Sequence, residues 1–345
     1  METRDGQLTT PRNIGSLAAF DETLHKGVSG FRTGGRDLTT SPVTVIADYG
    51  DRCGECPVWD PSQGVLEWID QVGQKFYRLN WTSRQHTIVT GEVAMNGFRP
   101  NRSAGYVIAT SQGIWHWDGH HGPTAIVTEI GGRPCQVNDC VADSRGRFLT
   151  ASYFYNPADK YELGSLIRVD TDGKASILDE GFHLSNGLGF SPDDRILYFA
   201  DSAARRIYSY DYDVHTGSAS NRRVFVQVPL EEGLPDGLAV DAEGFVWSAQ
   251  WYGSCVVRYD PDGKVERRVT TPAKQTSSLA FGGADLTDIF VTSAAQSEAM
   301  PIMPPGYDPN TGNFGGALYH FNLGIPGLRQ HQADLELPLA PRSTT

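Results

Sequence analysis

Leu234-Pro-Asp-Gly-Leu-Ala-Val-Asp-Ala-Glu-Gly-Phe-Val-Trp-Ser-Ala-Gln-Trp251 is the stretch whose reading decides the fold. It reads as a tight turn carrying Asp236, a short apolar strand, an Asp-Ala-Glu-Gly turn and a second strand. Gly and Asp tolerate the backbone angles that tight turns need. Phe245, Val246 and Trp247 are aromatic or β-branched, as strands favour. Weaker copies of this pattern recur along the chain.

The copies are spaced regularly. Taking Asp60, Ser103, Asp143, Asp193, Asp241 and Asp285 as turn markers, the intervals are 43, 40, 50, 48 and 44 residues. Second strands follow the markers, such as Leu66-Glu-Trp-Ile-Asp70 and Ile196-Leu-Tyr-Phe-Ala200. Third strands come next, such as Lys75-Phe-Tyr-Arg-Leu79 and Val256-Val-Arg-Tyr259. A fixed period with four strands per unit predicts an all-β, six-bladed β-propeller. A large β-sandwich would not repeat this regularly. Val43-Thr-Val-Ile-Ala47 is expected to join the last blade and close the ring, leaving no open edge. Residues 1–41 form a polar N-terminal extension, with a short helix around Leu17 to Leu24, and residues 42–340 form the propeller. Two longer segments, Phe154 to Gly164 and Ala294 to Gly316, fall between second and third strands and would rise beside the central channel.

Composition narrows the function. The 345 residues are 39% apolar and 10% aromatic, which suits a packed core, and the net charge is −12. That acidity argues against nucleic acid and anionic membrane surfaces as partners. No apolar run approaches the roughly 20 residues of a membrane span. The first residues show no basic region followed by an apolar block, and the five cysteines are an odd number. The expectation is a cytoplasmic protein with reduced thiols, and the polar tail favours a monomer.

The starts of the first strands depart from a structural repeat. Unit one opens Gly54-Glu-Cys-Pro-Val-Trp59, unit four Ser185-Asn-Gly-Leu-Gly-Phe190 and unit five Leu234-Pro-Asp-Gly-Leu238. Residues at this point in different blades face a common channel, so Glu55, Asn186 and Asp236 would converge as three oxygen donors. Two carboxylates and an amide suit Ca²⁺, Mg²⁺, Mn²⁺ or Fe²⁺, with Zn²⁺ also admitted. Taken singly, Pro-Asp-Gly and Ser-Asn-Gly are ordinary turn sequences; only the shared position joins them. Asn138 and Asp139, at the start of unit three, would add a hydrogen bonder beside the metal or form a local Asx-turn. Cys53 and Cys56 have the spacing of a redox or zinc pair but no second pair, and are expected to pack as small apolar groups. His116, His120 and His121 read as solvated residues of a hairpin turn. Gly-x-Ser-x-Gly, His-Glu-x-x-His, phosphate-loop and dinucleotide motifs are absent from the sequence.

These residues resemble a known family. Gly54-Glu-Cys-Pro-Val-Trp59, Ser185-Asn-Gly-Leu188, Tyr198-Phe-Ala-Asp-Ser202, Pro235-Asp-Gly237, Asp241-Ala-Glu-Gly244 and Thr276-Ser-Ser-Leu-Ala-Phe-Gly-Gly283 look like the regucalcin/gluconolactonase (senescence marker protein) family. The similarity runs from about Val43 to Leu337. It implies a six-bladed propeller that hydrolyses aldonolactones with one divalent metal. Carried over by position, it implies that Glu55, Asn186 and Asp236 are the metal ligands and that Asn138 lies near the bound water or substrate. The family frequently has Arg where this chain has Gln136, and an acidic substrate contact is replaced here by Tyr155 and Asn156. Gln136, Asn138 and Asn156 are thus the candidate substrate-binding residues.

The resulting expectation is metal-dependent hydrolysis of a small sugar lactone, with Asp236 as general base. Two alternatives stand beside it. One is a phosphotriesterase of the diisopropyl-fluorophosphatase type, since a phosphotriester also places an electrophilic oxygen on a cation. The other is a non-catalytic calcium-binding or interaction propeller.

Overall fold

The computed structural model describes residues 43–90, 93–153, 163–296, 300 and 302–336. The helix expected around Leu17 to Leu24, and Asn156, lie outside the described residues. Among those residues all regular structure is strand.

The strands run in chain order. β1 is Thr44–Asp48, and β2 (Gly54–Asp60), β3 (Val65–Asp70), β4 (Lys75–Asn80) and β5 (His86–Thr90) form blade one. Blade two is β6 (Gly97–Pro100), β7 (Tyr106–Thr110), β8 (Gly113–Trp117) and β9 (Thr124–Val127). A two-stranded ribbon, β10 (Glu129–Ile130) with β11 (Arg133–Pro134), leads into blade three. That blade is β12 (Val137–Ala142), β13 (Phe148–Ser152), β14 (Gly164–Val169) and β15 (Ala175–Phe182). Blade four is β16 (Ser185–Phe190), β17 (Ile196–Asp201), β18 (Arg206–Asp213) and β19 (Ser218–Gln227). Blade five is β20 (Leu234–Val240), β21 (Val246–Trp251), β22 (Cys255–Tyr259) and β23 (Val265–Thr270). Blade six is β24 (Thr276–Gly282), β25 (Asp288–Ser293) and β26 (Ala317–Asn322), completed by β1 pairing antiparallel with β26. The expected ring closure is therefore present, and the six-unit reading of the repeat holds.

Each blade buries both faces against its neighbours. One apolar cluster fills the gap between blades one and two, around Val58, Phe76, Phe98 and Ile108. Between blades six and one the packing centres on Trp68, Tyr77, Phe290 and Leu318. Four more clusters fill the remaining gaps. Double-sided burial explains why β3 and β21 are buried along their whole length rather than alternating. Only the outer strands, such as β19, show long exposed runs.

The turn markers work as the sequence suggested. Asp143 Oδ1 accepts the Arg145 and Arg147 N–H groups, both at 2.9 Å, and Asp241 Oδ1 accepts those of Glu243 and Phe245, both at 3.0 Å. The inner strands β2, β6, β12, β16, β20 and β24 neighbour one another in a closed ring around the channel. At the end where these strands finish, the C-terminal segment passes beneath the ring. Gly327 donates to Leu286 O of blade six, Ala242 of blade five to Pro326 O, Ala333 to Pro100 O of blade two, and Asp334 to Gly146 O of blade three. Trp59 N–H of blade one donates to Gln330 Oε1 at 3.1 Å. The candidate residues lie at the opposite end, where the inner strands begin. Among the described residues no helix is long and apolar enough to cross a membrane.

Candidate active site at the channel mouth

Five of the six inner strands, all but β6, begin with a shared irregularity. The ladder register slips between Glu55 and Val58, Val137 and Cys140, Ser185 and Leu188, Pro235 and Leu238, and Thr276 and Leu279. Such bulges leave a residue off the ladder and re-aim its side chain. Asn138, Asn186 and Asp236 all occupy this position. Glu55 comes one residue earlier in the register, and Cys56, at φ 48°, takes the bulge place in blade one. Pro235-Asp-Gly237 and Ser185-Asn-Gly187 are thus bulged strand starts rather than the tight turns their composition suggested.

Their glycines serve close approach. A Cβ on Gly187 would lie 2.6 Å from Asp236 O and 2.5 Å from Leu238 N, and Gly187 is not among the residues with positive φ. Without it β16 could not approach β20, and Asn186 and Asp236 would be held apart.

The entries to two inner strands share a second device. Asp70, at the end of β3, accepts the N–H groups of Arg52 and Cys53 at 3.1 and 3.0 Å, just ahead of Glu55. Asp201, at the end of β17, accepts those of His183 and Leu184 at 3.0 and 3.1 Å, just ahead of Asn186. Both carboxylates are buried, satisfy these backbone donors and fix the path of the backbone into the mouth.

A hydrogen-bonded chain of side chains then crosses the mouth. Gln71 Nε2 donates to Asn96 Oδ1 at 2.8 Å and to Asn138 Oδ1 at 3.4 Å, and Asn96 Nδ2 donates to Val137 O. Asn138 Nδ2 donates to Asn186 Oδ1 at 2.6 Å and to Ser185 O at 2.9 Å. Asn186 Nδ2 donates to Ser202 Oγ at 2.8 Å, and Ser202 donates to Pro235 O at 2.6 Å. The network orients Asn138 and Asn186, and Ser202 links Asn186 to the residue before Asp236. Gln71 and Asn96 have no motif in the sequence, and Ser202 enters there only as the last residue of the Tyr198-Phe-Ala-Asp-Ser202 motif, with no role at the site. They lie at strand ends of their own blades and meet the site only through the ring.

Three carboxylates gather beside this network. Burial pushes the Glu55 carboxyl well above its usual range, and the nearby charges of Asp236 and Asp139 add to the rise. Asp236, 4% exposed, is pushed well up by burial and by Asp139. Asp139 is raised by burial despite the opposing Arg99 guanidinium. Crowded, desolvated carboxylates with an oriented amide oxygen form a donor set that a divalent cation would neutralise, so the residues present fit such a group. Glu55, Asn138, Asn186 and Asp236 are brought together at one end of the channel. Gln136 is half-buried just ahead of β12.

Other expectations were altered. Cys56 is not a simple apolar filler: its Sγ accepts the Phe98 N–H at 3.3 Å and Arg99 Nη1 at 3.2 Å. Burial raises the Cys56 thiol, but Cys140 and Arg99 outweigh it, and the net shift is downward. His116 belongs to β8, its Nε2 3.1 Å from Ala104 O, whereas His120 and His121 sit in an exposed turn on Asp118.

A family model described as the SMP-30/Gluconolactonase/LRE-like region matches residues 53–295. The chain is 34% identical over 297 residues to the pentonolactonase XacC of Haloferax volcanii, covering 86% of this chain and 99% of that protein. It is 32% identical over 250 residues to the 6-deoxy-6-sulfogluconolactonase of Pseudomonas putida, covering 71% and 84% respectively. Among solved structures, a luciferin-regenerating enzyme aligns with a TM-score of 0.74 at 26% identity, over 86% of this chain and 100% of that one.

Proposed function

Because the chain belongs to the SMP-30/gluconolactonase/LRE-like family, we propose that it opens a small sugar lactone to the aldonic acid, using one divalent cation held by Glu55, Asn186 and Asp236. The broader class is that of a lactone-hydrolysing enzyme, the activity named in its pentonolactonase and 6-deoxy-6-sulfogluconolactonase relatives. The observation that carries the finer reading is the crowding of Glu55, Asp139 and Asp236 beside the Asn138–Asn186 amide pair.

The cation would polarise the lactone carbonyl and offset the negative charge that develops on its oxygen. Asp236 accepts the proton as water adds to the carbonyl carbon, a role worth about 10²–10⁴-fold in rate. Burial and Asp139 raise this carboxyl, which makes the ionised form a stronger base. The ring C–O bond then breaks, and the proton returns to the ring oxygen as it leaves as a hydroxyl. Asn138, fixed by Gln71 and Asn186, orients the water or a ring hydroxyl. Gln136, in place of the family's Arg, offers a neutral contact, which favours substrates without an anionic group at that point. An all-oxygen ligand set suits Ca²⁺, Mg²⁺, Mn²⁺ or Fe²⁺, with Zn²⁺ admitted.

The test follows acid release by five- and six-ring aldonolactones on chelator-stripped protein, before and after single metals are restored. Activity should vanish on stripping and return with one cation, and Asp236→Ala should remove it. Full activity in Asp236→Ala would overturn the assignment.

A further inference from the structure

We propose that the chain carries a second cation site, selective for thiophilic divalent ions, formed by Cys56 Sγ, Cys140 Sγ and a carboxylate oxygen of Asp139, which lie within 4.8 Å of one another. The site adjoins the lactonase site, since the Asp139 charge also acts on Glu55 and Asp236. Its ligand set of two sulfurs and one carboxylate, however, does not depend on the lactonase reading.

The three ligands come from two blades. Cys56 lies on β2 of blade one, directly after Glu55, and Asp139 and Cys140 lie on β12 of blade three. Blade two stands between them and leaves room for the contact. At Gly97 on β6 an added Cβ would fall 3.1 Å from Cys140 Sγ and 3.2 Å from Asn138 O. Cys56 adopts φ 48°, an angle non-glycine residues rarely take, which is the kind of local strain found at functional positions.

The surroundings match a metal thiolate. Phe98 N–H and Arg99 Nη1 both donate to Cys56 Sγ, at 3.3 and 3.2 Å. Donors of this kind orient a ligating sulfur and disperse its charge. Asp139 Oδ1 accepts the N–H of Cys140 at 2.7 Å, which fixes the carboxylate beside the thiol. Arg99 is 6% exposed, Cys56 3% and Cys140 0%, so charge here must balance locally. Two thiolates and a carboxylate carry three negative charges. Arg99 supplies one positive charge, and a divalent ion supplies the other two. A monovalent ion would leave a buried excess.

The ligand types select the ion. Paired thiolates favour Zn²⁺ and softer ions such as Cd²⁺ over Ca²⁺ and Mg²⁺, which prefer oxygen. With metal–sulfur bonds of about 2.3 Å, a tetrahedral ion needs its two sulfurs about 3.8 Å apart, within reach of the present separation. Three protein ligands leave the fourth position open.

The experiment uses the full chain, reduced and chelator-stripped, titrated with Cd²⁺ while the ultraviolet thiolate-to-metal charge-transfer band is followed. The expected result is a band that saturates at one equivalent, disappears in Cys56→Ser and in Cys140→Ser, and persists in Cys135→Ser. X-ray absorption on the Zn²⁺-loaded, unmutated chain provides a readout that does not rely on the variants folding. Two sulfur scatterers are expected beside lighter ones. The proposal is overturned by the absence of a band in protein whose thiols are shown to be reduced, by a band that survives either cysteine substitution, or by a zinc shell without sulfur.

Discussion

Gly187→Ala separates two explanations of the Ser-Asn-Gly and Pro-Asp-Gly motifs. A glycine in a turn supplies a left-handed angle, whereas Gly187 supplies room. An alanine Cβ at 187 would meet Leu238 N at 2.5 Å and Asp236 O at 2.6 Å, both backbone atoms. Ordinary contact begins at about 3.4 Å, so β16 and β20 must part by nearly 1 Å, and rotating a side chain cannot relieve it. Overpacking of this kind costs about 1–3 kcal/mol, and backbone opposition places Gly187 at the upper end. At roughly 2 °C per kcal/mol for a domain of this size, the melting temperature should fall by about 6 °C. Gly244, at φ 83° with nothing closer than Pro192 Cδ at 3.8 Å, is the turn control. Gly244→Ala should cost about 1 kcal/mol. Substitution by Asn is the decisive comparison, because Asn tolerates left-handed angles. Asn should be milder than Ala at 244 and harsher than Ala at 187, as followed by thermal and urea unfolding. In the folded fraction of Gly187→Ala, the parting of Asn186 from Asp236 should also weaken divalent-metal binding in calorimetry. Equal stability of Gly187→Ala and the unmutated chain would refute the close-approach argument.

Three further outcomes are expected. The Asp236 carboxyl is raised in the fold, so the folded state holds its proton more tightly than the unfolded chain and metal-free stability falls as pH rises. Asp236→Asn should therefore stabilise the stripped protein at neutral pH, yet forfeit the about 2.7 kcal/mol that metal at a hundred times its Kd gives the unmutated chain, as differential scanning fluorimetry would record. Asp51 is pushed up to about 6 by burial, against hydrogen bonds from Tyr77 and Trp68. Its contribution is present below pH 4 and lost as pH rises through 6, by up to about 3 kcal/mol, and Asp51→Asn should flatten the slope of urea-derived stability against pH over that window. Arg258 is buried, pairs with Asp241 at 2.7 Å and stacks 3.7 Å over Phe245. Arg258→Leu strands Asp241 as a buried charge and should cost about 3–5 kcal/mol in urea unfolding.

The sequence disclosed what repeats and concealed what meets across blades. Strands β13 and β21 were legible because β-branched and aromatic runs follow the Asp-x-x-Gly turns at Asp143 and Asp241, and those turns do satisfy their own backbone donors. Ring closure was legible too, since an orphan strand before the first unit needs a partner, and β26 is the one available. Asp236 and Asn186 stood out because the same place in two units held a metal-ligand type. Their glycines misled, because composition cannot tell a left-handed turn from a point where two strands nearly touch; Gly187 and Gly244 look alike in sequence and differ in φ. Contacts between blades carry no local signature at all. Cys56 and Cys140 stand 84 positions apart in the chain, Arg99 lies on a third inner strand, and nothing in any single unit marks them as neighbours. The same holds for Gln71, Asn96 and Ser202, each an ordinary strand-end residue until the ring brings its neighbours within hydrogen-bond reach. A repeat fold thus shows its scaffold plainly, because every unit must solve the same packing problem. Its chemistry sits where the units differ, and those differences acquire meaning only once the inner strands are placed side by side.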